Sequence, residues 1–160
     1  MKLNLKKHIV VLGAAALLLL SSCSAIRMAP FDQYSYQQAI SLKVESTELL
    51  DQATGPYADH EEEVNELLKE VAKMLEYEKN KEDNNITFRM WEILADEERN
   101  LLAGLLLKWK EDGQLNEFFR DEAVGQVQEA FDLIIKFEAK KDKESKDNLL
   151  GFISSVITGN

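Results

Sequence analysis

The residues able to do chemistry in this chain are few. Its 160 residues hold one cysteine, Cys23, and two histidines, His8 and His60. A lone thiol forms no internal disulfide and cannot supply the several sulfur and imidazole ligands of a zinc site. A bundle-type di-iron centre needs Glu-x-x-His on two helices, but the residue three before His60 is Tyr57. A Ser-His-Asp set would have only His60 as base after residue 22, and no phosphate-cradling glycine loop is present. These gaps predict a protein that is not an enzyme and holds neither metal nor dissociable cofactor. His60, beside Asp59 and Glu63 at a helix start, reads as a partly exposed residue rather than a ligand.

One carboxylate is out of place. Continuing the apolar spacing Phe88, Trp91, Ala95 lands on Glu98 before reaching Leu102 and Leu105, within the polar run Asp96-Glu97-Glu98-Arg99-Asn100. A carboxylate facing a core needs a partner, and Lys43 on the inward edge of the first helix is the candidate. Glu98 and Lys43 are therefore expected to form a buried polar site, chiefly an ion pair that sets helix register. The second place of interest is the apolar C-terminal segment carrying Leu149, Phe152, Ile153 and Val156. It is expected to cap one end of the bundle, to enter a partner's groove or to lie on lipid.

The elements positioning these residues read as helices. Residues 32–54 carry Ala39, Leu42, Ser46, Leu49 and Ala53 at three-four spacing. Gly55-Pro56 punctuates, and a second helix is expected over 57–80, with Val64, Leu67, Leu68, Val71, Met74 and Leu75 inward and three glutamates in its first turns. The polar stretch 79–85 leads to a third helix, capped by Asn84 or Asn85 and expected to reach Asp112 unbroken. Asp112-Gly113 stops it, and a fourth helix runs from about 115 to 140. A charged connector precedes the terminal segment. The fold predicted is all-α, an antiparallel up-down four-helix bundle with a short fifth C-terminal helix.

The first 22 residues stand apart. Three lysines precede an apolar run from Ile9 to Leu20, and small residues follow, which is the anatomy of a secretory signal. The run is short for a spanning helix. Leu20-Ser21-Ser22-Cys23 resembles the lipobox of bacterial lipoproteins. That resemblance covers residues 1–23 and implies a cleaved helical signal segment, 1–22, with covalent lipid on the Cys23 thiol and new N-terminus. Ser24 stands where the inner-membrane retention signal of enterobacterial lipoproteins has Asp, so the resemblance further implies an outer-membrane anchor facing the periplasm. A tether, 23–32, would then join the membrane to a bundle domain, 33–160.

All 29 acidic residues lie beyond position 22, against sixteen of the 19 basic ones. So negative a domain argues against nucleic acid and against polybasic docking on anionic lipid. The function expected is a membrane-anchored envelope lipoprotein whose acidic bundle binds another protein, as an accessory subunit of an envelope assembly. Two alternatives are an immunity or inhibitor protein against a basic toxin or envelope hydrolase, and a small-ligand binding module.

Overall fold

The structure is a computed structural model that describes residues Met28–Gly159; Cys23 and the expected signal segment lie outside them. Among the described residues the protein is an all-helical bundle of six α-helices and one 3₁₀ turn, without strands. The helices are α1 (Gln33–Asp51), α2 (Glu61–Lys79), α3 (Asn85–Ala95), α4 (Leu102–Asp112), α5 (Glu117–Lys140) and α6 (Lys143–Thr158). No described helix is long and apolar enough to cross a membrane.

Each helix forms because its apolar residues recur on one face and its ends are satisfied. Asp32 caps α1 by accepting from the Tyr34 and Ser35 amides, Asn116 caps α5, and Asp142 caps α6. Ala39, Leu42, Leu49, Leu50 and Ala53 of the first helical stretch are buried in one core with Val64, Leu67, Val71 and Met74 of α2, and α1 packs on both α2 and α5. Trp91, Phe131 and Ile134 fill the middle, with Trp91 edge-on to Phe131 at 5.9 Å. Most of the stability of such helices comes from packing an amphipathic face, so the shared apolar core holds the fold.

Two expectations about element bounds are corrected. Gly55-Pro56 is followed by a 3₁₀ turn, Tyr57–Asp59, and α2 begins only at Glu61. Tyr57 is drawn out of helical register because its side chain is buried edge-on to Trp109 and its amide donates to the Gly113 carbonyl at 2.7 Å. The expected third helix is two helices. It stops at Ala95, where Asp96 turns extended (ψ 114°), and resumes at Leu102. The Asp96 carboxylate accepts from the Glu98 amide at 2.9 Å and from Arg99 Nε at 3.3 Å. A short acid that bonds the backbone ahead of it competes with helix, and five consecutive polar residues gain by staying wet. Gly104 permits the fold-back: a Cβ there would collide with the Arg99 carbonyl oxygen.

The bundle has two dissimilar ends. At one, Gly113 ends α4 with φ +78°, Trp109 Nε1–H donates to the Gly55 carbonyl at 3.0 Å, and the Leu115 amide donates to Ala53 at 2.8 Å. At the other, the chain enters α1, α2 gives way to α3, and α5 turns into α6. α6 packs on α5 and α3 with Leu149 and Ile153 buried and Phe152 and Val156 half-buried against the core.

Candidate functional site

The end where the chain enters holds a buried polar cluster. Apolar periodicity leads to it: on α2 the row Val64, Leu67, Val71, Met74 continues to Glu78, and on α5 the row Val127, Phe131, Ile134 continues to Glu138. Both glutamates are 0% exposed. Their neighbours come from four other parts of the chain, brought together by the helix termini.

Lys81, in the α2–α3 loop, stands at the centre. Its Nζ lies 3.1 Å from Glu78 Oε2, 3.2 Å from Asp32 Oδ2 and 4.0 Å from Glu138 Oε2, and donates to Ser35 Oγ at 2.8 Å. Lys141 approaches Glu138 Oε1 at 2.6 Å, and the Thr87 hydroxyl donates to the same oxygen at 2.8 Å. Lys141 reaches inward because it ends α5 in the left-handed conformation (φ 48°), with its ammonium 4.5 Å from the Phe137 ring. Asn84 occupies the N-cap position of α3 but does not cap it. Its amide instead donates to the Glu78 carbonyl at 3.0 Å and to the Glu78 carboxylate.

Asp32 joins cluster and surface. Burial pushes its carboxyl up, but hydrogen bonds from Tyr77 OH and Lys81, together with the lysine's charge, outweigh this and hold it at about 2. The Tyr77 hydroxyl donates to it at 2.8 Å, and that bond, with burial and the adjacent negative charges, pushes the phenol up to about 12. The geometry suits structure rather than turnover. Glu78 and Glu138 are enclosed, Asp32 is partly exposed, and each of the three carboxylates is held by a lysine.

The sequence-stated candidates fall elsewhere. Glu98 is exposed in the α3–α4 turn, because the helix break removes it from the inward register, and this corrects the expected Glu98–Lys43 pair. Lys43 instead meets Asp132 of α5 at 2.5 Å, near the surface. Glu98 borders an open groove of about 620 Å³ that also touches Phe152 and Val156 of α6. His60 is half-buried, its Nδ1 2.7 Å from Glu63 and its ring 5.4 Å from that of Trp109. It opens onto a groove of about 700 Å³ between α1 and α2. Glu45, Glu48, Glu63, Glu66 and Glu70 line it, with Lys69 the single lysine. Among the described residues no cluster of three or more His, Cys, Asp or Glu side chains is arranged to hold a metal.

The buried cluster was missed at the sequence level, although its signal was present. Glu78 and Glu138 continue the apolar rows of α2 and α5. No known family model, curated protein or solved structure matches this chain.

Proposed function

We propose that this is a lipid-anchored bacterial envelope lipoprotein, held through Cys23, whose acidic bundle binds another protein and is not an enzyme. The proposed anchor lies in the outer membrane with the bundle facing the periplasm. In this reading α1, α2, the α3–α4 pair and α5 are four up-down limbs, and α6 is the short fifth helix. The observation that carries the binding role is the α1–α2 groove. Five carboxylates line it, against Lys69 in the lining and Lys73, whose ammonium lies 2.5 Å from Glu70. Such a surface suits a basic segment of a partner, accelerating encounter and excluding acidic competitors.

A second reading makes the partner a basic toxin or envelope hydrolase that the protein inhibits, and the same groove supports it. The small-ligand reading would use the groove beside Glu98, which is open to solvent and so buries little of a ligand.

Affinity purification of the anchored protein, with identification of what accompanies it, tests the role. Glu45→Lys with Glu48→Lys should abolish recovery of the partner and leave the fold intact. Recovery at the wild-type level would sink the groove as the binding surface. Cys23→Ala tests the anchor: the variant should leave the membrane fraction, and wild-type retention would overturn the lipoprotein assignment.

A further inference from the structure

The end of the bundle at which α1 begins differs from the rest of the molecule in shape and charge. Residues 28–32 were expected to act as tether, but Ala29 is 3% exposed, and its amide donates to the Asp83 carbonyl at 3.0 Å. Asp83 sits in the left-handed region (φ 55°), which aspartate tolerates better than most residues. Four residues separate Cys23 from Met28, the first described residue. The five residue steps from Cys23 to Met28 span at most about 18 Å. The opposite end lies a further helix length away, about 28 Å for the 19 residues of α1.

Aromatic side chains surround the near end. Phe31 is 56% exposed, Tyr34 45% and Tyr77 39%. Tyr34 and Tyr77 meet edge-on at 4.7 Å, and Phe31 lies 6.0 Å from Tyr36. Tyrosine rings, apolar with a polar tip, suit the headgroup level of a bilayer, and a phenylalanine ring suits the acyl boundary just beneath it.

Charge is divided the same way. The segments forming this end (28–36, 76–84 and 136–147) hold seven basic and nine acidic residues. The remainder of the described chain holds eight basic and twenty acidic ones. Lys136, Lys140, Lys141, Lys143 and Lys146 fall at the end of α5 and the start of α6, and Lys141 neutralises the buried Glu138. An anionic leaflet repels the strongly acidic remainder over about a Debye length and tolerates the near-balanced end.

We propose that this end, with Phe31, Tyr34 and Tyr77 foremost, rests on lipid headgroups and directs the acidic α1–α2 groove away from the membrane. The proposal rests on the reading of Cys23 as the lipid-bearing residue. Lipidation consumes the only natural thiol, so an introduced cysteine can be labelled uniquely. Glu82→Cys places a fluorophore at the near end and Phe118→Cys at the far end, both at exposed positions. The lipidated proteins are reconstituted in vesicles of phosphatidylethanolamine with a minority of phosphatidylglycerol and headgroup-spin-labelled lipid.

Quenching should be several-fold greater at position 82 than at 118. Phe31→Ser with Tyr34→Ser should bring the two towards parity while the protein still floats with the vesicles. Equal quenching at both positions in a protein that co-floats overturns the orientation alone. Failure to co-float overturns the anchor, and the orientation with it. Circular dichroism of the double variant confirms that these two exposed substitutions leave the helices in place.

Discussion

The Lys81 ammonium lies 3.1 Å from the carboxylate of Glu78, a side chain with no exposure to solvent, in a loop that also carries the entering chain on Asp83. One lysine thereby ties the start of α1, the end of α2 and the end of α5. Glu78 Oε1 and Glu138 Oε2 have no hydrogen-bond partner among the described residues, so neither carboxylate has spare compensation.

Lys81→Met should therefore be severe. Removing one member of a buried ionic set leaves its partners charged and enclosed, a loss of about 3–5 kcal/mol. Urea denaturation followed by circular dichroism measures it. Adding Glu78→Leu to the same chain should restore part of the loss, because an apolar replacement no longer leaves that carboxylate unpaired. A single-variant loss below about 1 kcal/mol, the range of surface pairs, would show that the cluster is solvated.

Acid and alkali should both weaken the bundle through the Asp32–Tyr77 bond. Asp32 is held at about 2 against an ordinary 3.8, so its contribution is complete above the unfolded value and is lost as pH falls from about 4 towards 2. Tyr77 is raised from 10.0 to about 12, so the folded state keeps a proton that the unfolded chain releases, and stability falls as pH rises between those values. Tyr77→Phe should flatten the alkaline limb and shallow the acid one. Thermal melts across pH, wild type against variant, provide the check; parallel profiles would refute the linkage.

Gly104→Ala tests the α3–α4 fold-back. The added Cβ meets the Arg99 carbonyl oxygen, a backbone atom that cannot swing aside as a side chain would. Overpacking of this kind costs about 1–3 kcal/mol. Gly125→Ala, with open space around its Cβ, is the control and should be neutral or mildly stabilising, since alanine favours helix over glycine. Equal melting temperatures for both variants would contradict the close approach.

Leu149→Ala should loosen α6. Leu149 is fully buried, and truncating such a leucine removes about 2–5 kcal/mol. Amide exchange should rise first in α6, because it is the last helix and packs only on α5 and α3 among the stronger contacts. Exchange confined to other helices would argue that α6 is held by something besides this side chain.

Much of the fold was legible along the chain. Ala39, Leu42, Ser46, Leu49 and Ala53 are all buried at the spacing that marks them, as are Val64, Leu67, Val71 and Met74. Helical period is a local property, and a stripe of this width has nowhere to go but a core. The break at Asp96 was visible only as five polar residues. Placing it inside a continuous helix put Glu98 inward, whereas the Asx turn and Gly104 send it to solvent.

By itself the sequence determined the helical class, the apolar faces, the excess of acid and the single thiol, because each follows from residue type and spacing. Only the tertiary structure decided which charges are buried and with whom. Asp32, Lys81 and Glu138 lie far apart in sequence, and the carboxylate of Glu78 differs from that of Glu98 in nothing but its surroundings. Pairing in a low-dielectric interior depends on distances of 3 to 4 Å, and those exist only once the helix ends have met.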